Sequence, residues 1–330
     1  MSVVTALSLL AVVPQAQAAA HRGDPLQNLQ WGLAQIHGPE AWSKSTGRGV
    51  IVAVVDSGVD ATHPDLQGHV LKGVDLVHPN GSDQMDLDGH GTGVAGIIGA
   101  IRDNGQGIAG VAPDVKILPV KTTEYNVVHD VPAAIIWAAD HGAKVINISL
   151  GTVAGGELVY RADGYSDTYQ AAIDHAWNRG AVIVAGAGNS SLPICTEPAA
   201  RHHVLCVGAV DKRGMRVAYS SFDAAMTTDY LVAPGGSAVD ASGVEELIWT
   251  TTIPGTGVQV ERNFWGEAGG TSYAAPVVAG VAALLSARGL TNAQIMTQIE
   301  QTTTDLGTAG RDPIYGYGEV NAAAALANLK

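Results

Sequence analysis

Six runs of apolar, mostly β-branched residues recur along the chain, separated by longer segments of mixed character. The first run, Gly49–Val55, reads GVIVAVV and is long enough for one buried strand. Uninterrupted apolar strands of this kind are typical of a parallel sheet that is covered on both faces, because neither face needs polar residues. The other runs are Val115–Val120, Ala143–Ile148, Ala181–Ala185, Val204–Val210 and Tyr230–Ala233.

Segments of helix-forming composition lie between and after these runs, and their order predicts the fold class. Alternating strands and helices favour an α/β fold with a doubly wound, mostly parallel β-sheet that is flanked by helices on both faces. Its crossovers should be right-handed. We interpret the Gly-, Ser- and Thr-rich segment Gly235–Gly257 as surface loops, so that residues 21–330 form a single domain. The predicted helices are Thr92–Ile101, Asp130–His141, Ser166–Arg179, Tyr273–Arg288 and Glu319–Asn328.

The first twenty residues differ from the rest and predict export. Val3–Val13 reads VVTALSLLAVV, which is too short to span a bilayer, and small residues follow it at Ala16 and Ala18. This order is typical of a secretory signal peptide, which we assign to residues 1–20. No Lys or Arg precedes the apolar run, so a disordered leader is the alternative. No later stretch is long and apolar enough for a membrane helix, and we therefore expect a secreted protein without a membrane partner.

Composition and charge exclude or disfavour several classes of protein. The chain is 46% hydrophobic and 15% charged, which excludes a disordered protein. Its net charge of −13 disfavours a nucleic-acid partner. Two cysteines, Cys195 and Cys206, are too few for a disulfide scaffold or a zinc ribbon. If the chain is exported, they can pair across a small loop; two unpaired thiols are the alternative.

Three polar residues lie at glycine-rich junctions between predicted elements. Asp56 ends the first apolar run, His90 stands between glycines just before a helix, and Ser272 follows Gly269 and Gly270 at the start of another helix. Each has an ordinary interpretation as a turn residue, a surface residue or a helix cap. Together, however, Asp, His and Ser in this chain order match one known arrangement of a catalytic triad.

The motifs around these residues resemble those of the subtilase family of subtilisin-like serine proteases. They read DSGVD at Asp56–Asp60, HGTGVAG at His90–Gly96 and GTSYAAP at Gly270–Pro276. The resemblance implies a serine endopeptidase that hydrolyses peptide bonds through an acyl-enzyme intermediate. By the same resemblance the catalytic residues are Asp56, His90 and Ser272, and Asn189 donates to the oxyanion.

The resemblance also implies how a peptide or protein substrate binds. Ser149, Leu150 and Gly151 would pair with an extended substrate as an added strand. Ala185, Gly186 and Ala187 would form a wall of the pocket for the primary side chain, with its floor near Cys195–Glu197. Acidic residues near these positions either favour basic substrates or serve ordinary turns; they are Asp86, Asp88 and Glu197.

Calcium is the cofactor that the family implies, in a structural role. The loop Arg102–Gly107 would contribute to the site, and an ordinary turn there is the alternative interpretation. Carbonyl, amide and carboxylate oxygens suit a hard cation of this kind. The positions that match the family's ligands are Gln27, Asp65, Ile101, Asn104, Gln106 and Ile108.

The chain departs from the family pattern in two places. Gly93 stands where the family usually has a second histidine, and no recognisable pro-region lies between Ala18 and Trp31. Two rival functions stay open: a catalytically silent scaffold that binds peptides, and a peptide ligase that uses the same acyl-enzyme. We expect peptide or protein partners and a monomeric chain.

Overall fold

A sheet of seven parallel strands forms the centre of the computed structural model, which describes residues 23–82, 84–124, 127–150, 165–237, 246–255, 258–261 and 265–329. Its strands are β1 (Ile51–Asp56), β2 (Val74–Asp75), β3 (Lys116–Lys121), β6 (Val145–Ile148), β7 (Val182–Gly186), β8 (Val204–Val210) and β9 (Asp229–Pro234). Their order across the sheet is β2-β3-β1-β6-β7-β8-β9. The predicted fold class is confirmed, and all six apolar runs form strands of this sheet.

The apolar runs are buried on both sides because helices cover both faces. Alternate side chains of β1 point to opposite faces. Val52 and Val54 therefore belong to one apolar core, whereas Ala53 and Val55 belong to another. The helices are α1 (Trp31–Gln35), α2 (Gly38–Ala41), α3 (His90–Gly99), α4 (Val131–Asp140), α5 (Tyr165–Asn178), α6 (Thr271–Ser286), α7 (Asn292–Gln301) and α8 (Ala322–Ala327).

The five predicted helices are present with shifted ends, and other elements were not predicted. The interpretation of Gly235–Gly257 as loops is wrong at β10 (Ile248–Thr251), a buried strand. It forms an antiparallel sheet with β11 (Val258–Glu261) and β12 (Trp265–Ala268). Two short strands, β4 (Thr123–Glu124) and β5 (Val127–Val128), form a hairpin beside the main sheet. The helix α7 begins with a capping box at Thr291 and Gln294, a local signal that the apolar pattern did not reveal.

The sheet order places a possible site at the carboxyl ends of β1 and β6. After β1 the chain adds β3 on one side, and later β6 on the other side. Ligands of open α/β sheets bind at such a switch point, outside the carboxyl ends of the strands. Across the described ranges, none of the helices has both the length and the apolar character that crossing a bilayer requires.

Candidate active site

Asp56 and His90 are joined at this switch point. Asp56 is the last residue of β1 and is fully buried, and His90 is the first residue of α3. Nδ1 of His90 lies 2.7 Å from Oδ1 of Asp56, which also accepts the N–H of Ser57 at 2.8 Å. The helix comes this close because residue 91 is glycine: a Cβ on Gly91 would lie 2.1 Å from the carbonyl oxygen of Gly58. The carboxylate thus fixes the imidazole through Nδ1 and leaves Nε2 for a substrate or a nucleophile.

Asp86 secures the start of α3. Its Oδ1 accepts hydrogen bonds from the Ser57 hydroxyl at 2.9 Å and from the N–H groups of Asp88 and Gly89, at 3.0 and 2.9 Å. Its Oδ2 accepts from the N–H and hydroxyl of Thr92, at 2.9 and 2.6 Å. Asp86 thus holds the turn before α3, which is the ordinary interpretation of this residue, whereas Asp88 is partly exposed.

The surroundings of His90 favour its protonated form. Burial lowers the pKa of an imidazole, but here the charge and hydrogen bond of Asp56 outweigh it. Together with the charges of Asp88 and Asp86, they raise the pKa of His90 to about 9. A base in this position is neutral, and able to take a proton, mainly in alkaline solution.

Ser272 lies in the first turn of α6, where a proline helps to fix it. Pro276 has no N–H, so it cannot donate to the carbonyl of Ser272 four residues earlier. That carbonyl instead accepts from the hydroxyl of Ser149 at 2.7 Å. In return, the hydroxyl of Ser272 donates to the carbonyl oxygen of Ser149 at 3.0 Å. This reciprocal pair ties the start of α6 to the residue that follows β6.

The parallel register brings the three residues to one edge. Val55 of β1 pairs with Ile148 of β6. Asp56 and Ser149 are the next residues along the chain, so both lie at the carboxyl ends of these adjacent strands. Asp56 is hydrogen-bonded to His90, and Ser149 is hydrogen-bonded to Ser272. The ring of Tyr273, the residue after Ser272, lies with its centroid 5.3 Å from that of His90. Asp56 with His90, and Ser149 with Ser272, therefore lie at the carboxyl ends of two adjacent strands, although these residues are distant in sequence.

Asn189 lies beside Ser272. Its Oδ1 accepts from the N–H and the hydroxyl of Thr271, both at 2.9 Å. Because Oδ1 faces these two donors, the amide group Nδ2 faces the other way. A Cβ built on Gly270 would lie 3.5 Å from Nδ2 of Asn189 and 3.7 Å from the backbone nitrogen of Ser272. The side-chain amide of Asn189 therefore lies close to the backbone at the start of α6, next to Ser272.

Comparisons with known proteins decide the family. A model of the subtilase family of peptidases matches residues 47–318. The chain belongs to the subtilase family. It is 40% identical over 299 residues to a thermophilic serine proteinase of Bacillus sp. strain AK1, covering 89% of this chain and 66% of that protein. It is 34% identical to thermitase of Thermoactinomyces vulgaris, covering 89% of this chain and 94% of thermitase. A protease structure from Pseudoalteromonas arctica superposes with a TM-score of 0.78 at 30% identity, covering 94% of this chain and 100% of that one. This subtilase is thus a serine protease.

The predicted substrate wall of the subtilase lies at the end of β7. Ala185 and Gly186 close that strand, and Ala187 follows them. The N–H of Ala187 donates to the carbonyl of Val207 at 2.8 Å, and its carbonyl accepts from the N–H of Thr196 at 3.0 Å. Leu150 is partly buried beside the apolar core that includes Ala185. Gly151, the third residue of the predicted substrate strand, lies outside the described residues.

The predicted disulfide is confirmed, and Glu197, the acidic residue predicted near the substrate pocket, is paired with an arginine. Cys195 and Cys206 are bonded, and both are buried. Glu197, the second residue after Cys195, is also buried and accepts two hydrogen bonds from the guanidinium of Arg201, one of them from Nε at 2.7 Å. The interpretation of Glu197 as an acid that selects basic side chains is wrong, because Arg201 already neutralises it. The sequence reasoning missed this partner, which lies four residues away.

The loop predicted to bind calcium closes around Asp65. Oδ1 of Asp65 accepts from Nδ2 of Asn104 at 2.7 Å, and Oδ2 accepts from the N–H of Ile108 at 2.9 Å and from the indole of Trp265 at 2.8 Å. The carbonyl of Asp65 accepts from the N–H of Ile101 at 2.9 Å. Four of the six predicted positions thus lie in this cluster or border it; the backbone of a fifth, Gln106, donates to Asn104 at 2.7 Å.

A second carboxylate, Asp24, was missed. It accepts from the N–H groups of Asp103 and Asn104, at 2.8 and 3.1 Å. Gln27, the predicted ligand on this segment, donates its N–H to the carbonyl of Asp24 at 3.2 Å. Burial raises the pKa of Asp65 to about 6, hydrogen bonds oppose this, and the charge of Asp24 raises it further. In the described part of the chain, no three His, Cys, Asp or Glu side chains gather as a metal site.

Proposed function

We propose that this subtilase is an endopeptidase in which Ser272, His90 and Asp56 form a catalytic triad. The observation that carries the proposal is the 2.7 Å bond between Asp56 and His90 at the strand edge where Ser272 also lies. The Ser272 hydroxyl leaves the carbonyl of Ser149 and donates to Nε2 of His90. The imidazole takes the proton as Oγ attacks the substrate carbonyl, and Asp56 stabilises the imidazolium that forms.

The tetrahedral intermediate places a negative charge on the former carbonyl oxygen. Nδ2 of Asn189, which lies near the backbone of Ser272, and the N–H of Ser272 would donate to that oxygen. His90 then returns its proton to the leaving amine, which leaves an acyl group on Ser272. Water, deprotonated by His90, hydrolyses this ester and restores the hydroxyl.

An extended peptide is the substrate that fits this edge of the sheet. Ser149 to Gly151 would pair with its main chain, and Ala185 to Ala187 would border its primary side chain. Main-chain pairing fixes an extended peptide whatever its sequence. Small wall residues leave room for a large side chain. We further propose that the chain is secreted and acts as a monomer, with residues 1–20 as its signal peptide.

Structural calcium fits the cluster at Asp65. The carboxylates of Asp65 and Asp24 and the side-chain oxygen of Asn104 are oxygen donors of the kind that Ca²⁺ accepts, and backbone carbonyls of the loop would complete the set. A bound cation would stabilise the ionised form of Asp65, which burial otherwise disfavours. Its ligands would include Asp65, Asn104, Asp24 and the carbonyls of the loop. The ion would fasten this loop to the N-terminal segment and takes no part in catalysis.

Labelling with a fluorophosphonate probe tests the triad. The native chain should be labelled and should cleave a peptide p-nitroanilide, and Ser272→Ala should lose both properties. Ser43→Ala, which changes an exposed serine outside the three motifs, is the matched control and should keep both. A native chain that is folded but never labelled would support the silent scaffold instead. Product analysis with an added amine distinguishes hydrolysis from ligation.

A further inference from the structure

Tyr273 contacts the imidazole that the proposed mechanism uses as a base. The two ring centroids are 5.3 Å apart, and the ring planes are tilted by 59°. Pairs of aromatic rings in this range attract each other at tilted and edge-to-face angles. Tyr273 is also packed against the apolar core beneath α6. Its ring is therefore held from one side by the core and lies against His90 on the other.

The tyrosine ring occupies a space that exists because residue 93 is glycine. A Cβ on Gly93 would lie 3.3 Å from Cε1 of Tyr273, closer than ordinary van der Waals contact. It would also lie 3.3 Å from Cγ2 of Thr250 and from the carbonyl oxygen of Thr251. Position 93 is where the family pattern has a histidine; in this chain the glycine leaves that space to the ring of Tyr273.

Hydrogen bonds to β10 fix the position of α3, the helix that carries His90. The hydroxyl of Thr250 donates to the carbonyl of Gly93, and that of Thr251 donates to the carbonyl of Thr92 at 2.6 Å. These bonds fasten the first turn of α3 to β10. The distance between α3 and the ring of Tyr273 is thus set by buried contacts on both sides.

We propose that Tyr273 is a positioning residue for His90, whose ring fills the space left by Gly93 and keeps the imidazole aligned between Asp56 and Ser272. This inference rests on the proposed function. A single hydrogen bond at Nδ1 leaves the imidazole free to swing about that bond. An aromatic ring that is fixed by the core blocks the swing on one side and keeps Nε2 directed at the nucleophile.

The ring, and not its hydroxyl, performs this role. Burial raises the pKa of Tyr273 well above its usual value, so the phenol is neutral wherever the protease would work. The titratable groups that face His90 are Asp56 at the end of β1 and Asp86 and Asp88 before α3. Phenylalanine at 273 should therefore keep the effect, whereas leucine should lose it.

Steady-state kinetics on a peptide p-nitroanilide test the proposal, with active sites counted by fluorophosphonate titration. For Tyr273→Leu we expect kcat to fall about tenfold or more, because small misplacements of a base are costly, with KM changed less than about twofold. The pKa that defines the acid side of the profile of kcat/KM against pH should fall by about half a unit, because the ring no longer stabilises the imidazolium of His90. Tyr273→Phe should restore both values. Trp137→Leu, which removes an aromatic ring stacked on His141 away from the site, is the matched control and should change neither.

A second variant separates positioning from general packing. Gly93→Ala should lower kcat when Tyr273 is present, because the methyl group displaces the ring, and should have little further effect in Tyr273→Leu. Equal losses in both backgrounds would mean that Gly93→Ala acts through Thr250 and Thr251, and would overturn the proposal. So would an unchanged kcat in Tyr273→Leu or, if that variant does not fold, in Gly93→Ala alone. A native chain that neither hydrolyses nor is labelled would instead refute the proposed function.

Discussion

The pH dependence of catalysis follows from the charges around His90. With a pKa near 9, only about one imidazole in a hundred is neutral at pH 7. We therefore expect kcat/KM to rise about tenfold for each pH unit between about 6 and 8, and to level off above about 9. Asp88→Asn removes a charge that raises this pKa. Because Asp88 is partly exposed, this substitution should lower the pKa that defines the acid limb of the kcat/KM profile by only about half a unit.

The assay is kcat/KM for a peptide p-nitroanilide from pH 5 to 11 at constant ionic strength, with the fluorophosphonate labelling rate as a second readout. Asp174→Asn, at an exposed aspartate on α5, is the matched control and should leave the limb in place. An acid limb at or below pH 6.5, the ordinary value for histidine, would refute the reasoning, since Asp56 would then not outweigh burial. An upward shift in Asp88→Asn would also contradict it.

Three further predictions concern the oxyanion donor, the metal and the disulfide. Asn189→Ala should lower kcat with little change in KM, by the roughly 10²–10³-fold loss known for such a donor in a subtilisin; an unchanged kcat would remove Asn189 from the site. A chelator should lower the melting temperature of the native chain, and Asp65→Asn should abolish the rescue by added calcium; identical melting with and without chelator would refute the site. Cys195→Ser combined with Cys206→Ser should lower the free energy of unfolding by about 2–3 kcal/mol, as expected for a short closed loop. Denaturant unfolding measures this loss, and a stability equal to that of the native chain would contradict it.

Elements that depend on local pattern were predicted well. The strand predicted at Gly49–Val55 is observed at Ile51–Asp56. An uninterrupted apolar run is enough to predict a buried strand of a parallel sheet, without information about which strands lie beside it. Ser272 was located because glycines and a helix surround it in sequence. The bond between Asp56 and His90 was expected only through the family motifs, since no pattern of apolar residues specifies which loops meet.

Features that depend on distant partners were missed. The strand Ile248–Thr251 contains two threonines and lies in a glycine-rich region, so its sequence resembles a loop. It is buried because its hydroxyls satisfy carbonyls of α3, more than 150 positions earlier. Asp24 was missed for the same reason: its partners, Asp103 and Asn104, are about eighty residues away. Glu197 is a different case: its partner Arg201 is only four residues away, but the sequence alone does not show that the two side chains pair.

The proline within α6 shows how an element that is unfavourable in isolation helps to form the site. Pro276 removes one helical hydrogen bond, which in most helices leaves a carbonyl without its partner. Here the freed carbonyl belongs to Ser272 and accepts from Ser149, so the loss inside the helix is offset by a bond to the central sheet. The same bond fixes Ser272, the proposed nucleophile, relative to β6, which pairs with β1, the strand that ends at Asp56. A regular helix would satisfy that carbonyl internally and would leave Ser272 without this connection to the strand edge where Asp56 and His90 lie.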